Sequence, residues 1–229
     1  MVSSSGRPAG VTWDYDRAEL VADGVIHAIG NGLGLAGAIA IVIVAAKSNR
    51  AIDLSSVVIY TVGLLSMLGF SAAYNVWPIS PMKWVLRRFD HSAIYVMIAG
   101  TYTPFIAQMK GGSVSTGLLV GVWLTAAVGI ALKLLVPGRF DRLAVVLYLL
   151  LGWSGAVLYD SVAAPLSAPT LWLLAAGGVL YTAGLVFQGW QGLRFHTAIW
   201  HCFVLLAAGC HYSALLHCLA LGRIATIGG

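Results

Sequence analysis

Charge is what this sequence has least of: Asp, Glu, Lys and Arg make up 9% of 229 residues, against a hydrophobic share of 59%. A soluble domain of this length needs a polar surface, and so few charged side chains cannot cover one. Cysteine is scarce as well. Cys202, Cys210 and Cys218 all fall in the last apolar run, spaced so that helical neighbours stand about 12 Å apart, which excludes a bridge between them. With no CxxC pair either, there is no disulfide framework and no dithiol redox site. Long polar stretches between the apolar runs are missing, so no second domain is expected there. The first apolar run, which follows Asp23, exceeds the roughly 7 to 15 residues of a signal-peptide core, so the chain is expected to keep its N-terminus.

What is present is a series of apolar runs: Val25 to Ala46, Leu54 to Trp77, His91 to Met109, Val114 to Leu132, Leu143 to Tyr159, Leu166 to Trp190 and Phe195 to Leu221. Each is near the ~20 residues that cross a bilayer as a helix, and the mean hydropathy is +0.89. The fold class that follows is an all-α integral membrane protein, a seven-transmembrane helix bundle over residues 19–229 behind a mobile N-terminal tail over residues 1–18. The excess of 13 Lys and Arg over 8 Asp and Glu does not call for nucleic acid, because the cations sit between the runs and bear on orientation. Arg7, Arg17, Lys83, Arg87, Arg88, Lys133, Arg139, Arg142 and Arg194 share the N-terminal side; Lys47, Arg50, Lys110 and Arg223 share the other. The bias puts the N-terminus in the cytoplasm and the C-terminus outside.

Small residues recur within the spans, such as Gly30, Gly34 and Ala38 in the first and Gly177, Ala183 and Gly184 in the sixth, and point to close helix contact. Residues 32–37 match the GxGxxG dinucleotide fingerprint literally. That motif needs a preceding strand and an exposed helix N-terminus; in mid-span the glycines serve packing. Tyr102, Thr103 and Pro104 interrupt the third run, where proline is expected to kink the helix and neighbouring helices to satisfy the freed carbonyl.

Polar residues gather at one depth. Glu19, Asp23 and His27 enter the first span from the N-terminal side, Ser71 and Asn75 end the second there, Asp90 and His91 start the third, and Thr197 and His201 start the seventh. Caps and helix dipoles account for Asp90, Glu19 and Asp23, but not for His201 inside a span or for Asn75 one turn beyond Ser71. Asp23 with His27, Ser71 with Asn75, and Thr197 with His201 are i,i+4 pairs, each sharing a helix face. The last run also carries His196, His211 and His217, each of which, buried in a bilayer, either bonds to a neighbouring helix or serves a polar site.

Asp90-His91-Ser-Ala-Ile-Tyr with Ile98-Ala-Gly-Thr-Tyr-Thr-Pro-Phe105, Ala198-Ile-Trp-His201 with His211, Tyr148 to Trp153, Gly177 to Gly184, and Glu19 with His27-Ala-Ile-Gly30 together resemble the hemolysin III family, the bacterial branch of the progestin and adipoQ receptor family. The likeness extends from about residue 19 onward. It implies a multi-pass cell-membrane protein, in a bacterium one of the inner membrane, whose partner is the lipid bilayer. It further implies a zinc site of three histidines with an aspartate holding the zinc-bound water. Carried over by position, Ser71 and Asp90 match, as does the second span-seven histidine at His201. The span-two histidine falls on Asn75 and the first span-seven histidine on Thr197, so two family ligands are replaced.

A rearranged zinc site would draw on His201 with His91 or His27 and Asp90. His196 cannot join His201 on one regular helix, since five residues turn it about 140° away. Without metal, Asn75, Thr197 and His201 form a hydrogen-bonded remnant. The resemblance implies three functions: a membrane-perturbing, toxin-like cytolysin acting as a homo-oligomeric pore, a zinc-dependent hydrolase of lipid amides or esters with Asp90 as base, or a receptor for an unidentified lipid ligand.

Overall fold

The computed structural model describes residues 13–48, 51–107, 112–138, 140–157 and 166–227. Among them the chain forms helices α1 (Arg17–Ala46), α2 (Ala51–Val76), α3 (Pro81–Ala107), α4 (Ser113–Leu135), α5 (Asp141–Val157), α6 (Ala168–Gly189) and α7 (His196–Ile227), and no strand. Five of them, α1, α2, α4, α6 and α7, have the length and apolar composition to cross a membrane. The α3 helix begins ten residues before its apolar run, with Lys83, Arg87, Arg88 and Asp90 in its first turns, and α5 is apolar over Leu143–Gly155. Leu33, Leu124, Val186 and Leu206 stand out from the bundle, as helices in contact with lipid require.

Successive helices pack as neighbours in a ring: α1 on α2, α2 on α3, α3 on α4, and α6 on α7, with α7 returning to α1. Small residues set the closest approaches. A Cβ at Gly63 of α2 would meet the Val96 carbonyl oxygen at 3.1 Å, and one at Gly100 of α3 would meet that of Ile59 at 3.2 Å, so these two backbones touch. Pro104 lies inside α3, buried, and the helix runs on to Ala107. One apolar core joins α1, α2, α3 and α7 through Ile41, Val57, Tyr60, Met97 and Leu215; another joins α3, α4 and α5 through Tyr95, Ala99, Val122, Ala126 and Leu151.

At one end the helices extend past their apolar runs and carry most of the charge. Asp16 caps α1 in a capping box: its carboxylate accepts the Glu19 N–H at 2.9 Å while Glu19 Oε2 accepts the Asp16 N–H at 2.9 Å. Residues 13–18 of the expected tail are therefore held in place. Trp13 is buried and its indole donates to Tyr74 Oη at 2.9 Å; residues 1–12 lie outside the described residues. At the end of α2, buried Lys83 Nζ donates to the carbonyls of Tyr74, Asn75 and Trp77 at 2.8, 3.1 and 2.8 Å. These are carbonyls that a helix C-terminus leaves without intrahelical partners. Burial holds the Lys83 ammonium below its ordinary pKa, with the distant Asp23 carboxylate opposing.

Candidate functional site

The site lies where α1, α2, α3 and α7 meet at this charged end, and its register is set at the start of α7. Phe195 there takes a left-handed backbone, φ 62°, which costs a bulky residue about 1–3 kcal/mol unless its surroundings enforce it. They do: Glu19 Oε1 accepts the Phe195 N–H at 2.9 Å, and Arg194 donates to Asp16 Oδ2 from Nε at 3.1 Å and Nη2 at 2.9 Å. The first turns of α1 and α7 are thereby locked together. Asp23 and His27, one turn apart on α1, then face His201 on α7.

His201 Nδ1 stands 2.6 Å from Asp23 Oδ1, and His27 Nε2 stands 3.4 Å from Asp23 Oδ2. The two imidazoles are themselves 4.4 Å apart between ring centres. All three side chains are buried, at 8% exposure for Asp23, 6% for His27 and 9% for His201. Ser71 Oγ lies 3.4 Å from His201 Nε2, and Asn75 Nδ2 donates back to the Ser71 carbonyl at 2.9 Å and reaches its hydroxyl at 3.5 Å. Asn31, which the sequence reading passed over, pins α1 to α2 beneath the site by donating to the His27 and Leu68 carbonyls at 2.9 and 3.3 Å. From α3, Asp90 lies beside Ser71 and within electrostatic reach of both histidines.

The donor set suits a metal. One carboxylate oxygen and two imidazole nitrogens offer ligand atoms within 4.8 Å of one another, near enough for small shifts to bring all three onto one tetrahedral ion. Buried His27 Nε2 has the Asp23 carboxylate as an ion-pair neighbour but makes no hydrogen bond among the described residues.

Of the residues singled out by sequence, His201, His27, Asp23, Ser71, Asn75 and Asp90 come together. His91 does not join the cluster: its Nε2 is 4.0 Å from Asp90 Oδ2, its carbonyl accepts the Tyr148 hydroxyl at 2.8 Å, and it packs toward α5. Thr197 turns to Tyr15, donating to its hydroxyl at 3.3 Å. Glu19 acts in the cap and in the α7 lock. The hub is Asp23, placed by sequence in the polar layer but not among the ligands, although its i,i+4 spacing to His27 was already visible.

The cluster opens onto a cavity of about 1030 Å³ that every helix helps to line. His27, Ser71, Asn75, Asp90, Arg87 and His201 are among its polar lining; Met97, Ile98, Leu171, Leu174 and Leu205 are among its apolar lining. Between α5 and α6 the wall includes Trp153 and Trp172, the latter 76% exposed on the outer surface.

Comparison with known proteins agrees with the architecture. The family described as Haemolysin-III related matches residues 18–212. The chain belongs to the haemolysin III family. It is 37% identical to the Hemolysin-3 homolog of Bacillus subtilis (strain 168), over 88% of this chain and 95% of that one. It is 34% identical to Hemolysin-3 of Bacillus cereus, over 82% and 85%. Monocyte to macrophage differentiation factor of Homo sapiens is 31% identical over 69% of this chain and 67% of its own. No solved structure matches. Like its haemolysin III relatives, the chain is a multi-pass membrane protein.

Proposed function

We propose that this haemolysin III protein is an intramembrane, metal-dependent hydrolase of an acyl lipid, with the charged end of the bundle facing the cytoplasm. The observation that carries the reading is the convergence of Asp23, His27 and His201 beside a cavity whose lining is mostly apolar. An amphiphile fits that arrangement, with its polar group at the cluster and its chain along Leu171, Leu174 and Leu205. Lipid would enter from the side, past Trp153 and Trp172.

Asp23, His27 and His201 would hold the ion, Asp23 and His27 taking the places of the two imidazoles that Asn75 and Thr197 do not supply. A zinc ion held so would bring the pKa of a coordinated water toward ~7 and polarise an acyl carbonyl. Asp90 of α3, beside Ser71, would accept a proton there. Ser71, bracketed by Asn75 and His201, orients the His201 ring. Buried surroundings exclude bulk water and strengthen each of these interactions.

The pore-forming alternative draws on the printed names of the bacterial relatives. Against it, Phe105, Ile106, Leu171, Leu174 and Leu205 line the cavity, a predominantly apolar surface poorly suited to an aqueous path. The test joins composition to chemistry. Purified protein should carry about one zinc per chain and release fatty acid from a ceramide or acyl ester, and His201→Ala should lose both. Metal-free wild-type protein that releases dye from liposomes would reverse the preference.

A further inference from the structure

Two further cations face the same cavity, Arg87 from α3 and Lys133 from α4. Both turn to one carboxylate at the start of α5: Lys133 Nζ lies 2.6 Å from Asp141 Oδ1, and Arg87 Nη2 lies 2.8 Å from Asp141 Oδ2. Lys133 is only 6% exposed. Asp90, the other carboxylate in reach of Arg87, lies beside Ser71 and faces the two histidines. Among the described residues both cations bond to Asp141 and neither bonds to Asp90, and an unmatched buried charge is strongly unfavourable. Their hydrogen-bonding capacity is in excess of what Asp141 uses. Among the described residues each cation uses a single N–H, on Asp141, although guanidinium carries five donors and ammonium three. Arg87 is steadied by Trp84, whose ring centre lies 5.2 Å from its guanidinium carbon.

We propose that Arg87 and Lys133 form an anion subsite, which takes the carboxylate or phosphate head of a long-chain amphiphile whose tail lies along the apolar lining. The reading deepens the lipid-binding role of the cavity and is independent of metal. Guanidinium supplies a planar fork for two oxygens and ammonium a third donor, a combination suited to either head group. Asp141 holds the pair in place when no ligand is bound.

The experiment uses full-length protein in neutral detergent, stripped of metal with a chelator. Trp153, Trp172 and Trp200 line the cavity, so an ω-bromo fatty acid, the matching ω-bromo alcohol and the matching ω-bromo alkyl phosphate can be titrated by fluorescence quenching. Both anions should bind at least about tenfold more tightly than the alcohol, since a hydrogen bond to a charged group contributes on that scale. Arg87→Gln should bring them to the level of the alcohol and leave the alcohol unchanged. Asp141→Asn, which frees both cations, should tighten anion binding, whereas a purely structural ion pair would give no gain.

Equal binding of acid and alcohol by wild type, or no gain in Asp141→Asn, overturns the subsite. Displacement of the bromo acid by inorganic phosphate at similar concentration would make the ligand a free anion and overturn the amphiphile. Because the protein is metal-free, absence of zinc from the purified protein would count against the hydrolase without altering these outcomes.

Discussion

The two ends of the bundle treat histidine in opposite ways. At the end away from the charges, His217 Nδ1 lies 3.1 Å from Thr170 Oγ1 and 3.4 Å from Ser167 Oγ, and those two hydroxyls are 2.9 Å apart. Ser167 is also the N-cap of α6. Deeper in the bundle, His211 Nε2 meets the Leu174 carbonyl at 3.3 Å and packs where a side chain at Gly177 would collide with it. Each of these imidazoles has ordinary helix-to-helix partners and fastens α7 to α6. At the charged end, His27 and His201 instead converge on one carboxylate, and His27 Nε2 is left without a hydrogen bond. A histidine with a local helix-to-helix partner fastens two helices; two around one acid form a donor set of the kind that can hold a metal ion.

The largest effect that would sharpen this contrast concerns metal. Zinc measured by elemental analysis and competitor titration should be about one per chain, with affinity falling more than about 100-fold in Asp23→Ala, His27→Ala and His201→Ala alike. His217→Leu and His91→Phe should keep wild-type zinc. Retention of zinc by Asp23→Ala would break the comparison, because Asp23 is what distinguishes the cluster from two nearby rings.

How much of this was legible in the sequence differs from one residue to the next. The apolar runs marked the helices well, because their spacing reports bilayer thickness directly. Helix ends were read less well. The α3 helix begins at Pro81 rather than His91, since Lys83 finds carbonyls of α2 to cap and does not end a span. Trp13 looked like part of a tail because its partner, Tyr74, is distant in sequence. The polar layer was legible as a layer, from Glu19, Asp23, His27, Ser71, Asn75, Asp90 and His201. Which members meet was not, because that depends on rotation of α1 against α7, set by contacts of Glu19 with Phe195 and Asp16 with Arg194. His91 shared the right depth and faces the wrong neighbour.

A smaller effect is expected from the cap on α2. Lys83→Met removes three hydrogen bonds at once from partly buried carbonyls, and leaving such groups unpaired costs at most about 1–3 kcal/mol each. Thermal unfolding in detergent should fall clearly, and zinc affinity with it if the end of α2 positions Ser71 and Asn75. By contrast, Thr170→Val at the other end removes the two neutral hydrogen bonds of the Thr170 hydroxyl, to Ser167 and His217, and should cost about 1 kcal/mol for each with no change in zinc. Equal effects of the two variants on zinc would show that general stability, not local geometry, governs the site.

The smallest expected effect is a pH dependence confined to the charged end. Burial tends to raise the Asp141 pKa, but Arg87 and Lys133 outweigh it and hold the carboxyl below its ordinary range. A group whose folded-state pKa is depressed adds stability that is fully present above its unfolded value of about 3.9. That stability disappears as pH falls toward the lower folded value. Melting temperature should therefore drop on acidification below about pH 4, and Asp141→Asn should flatten that part of the profile while lowering the neutral-pH value modestly. The side chain of Asp141 is 35% exposed, so solvent and salt screen the pair, and added salt should shrink the acid-dependent drop. Ser167→Ala, at the end without carboxylates among its described partners, should shift the whole curve without changing its slope. A profile that Asp141→Asn leaves unaltered would mean that another acid carries the titration, with Asp16 on Arg194 the next to replace.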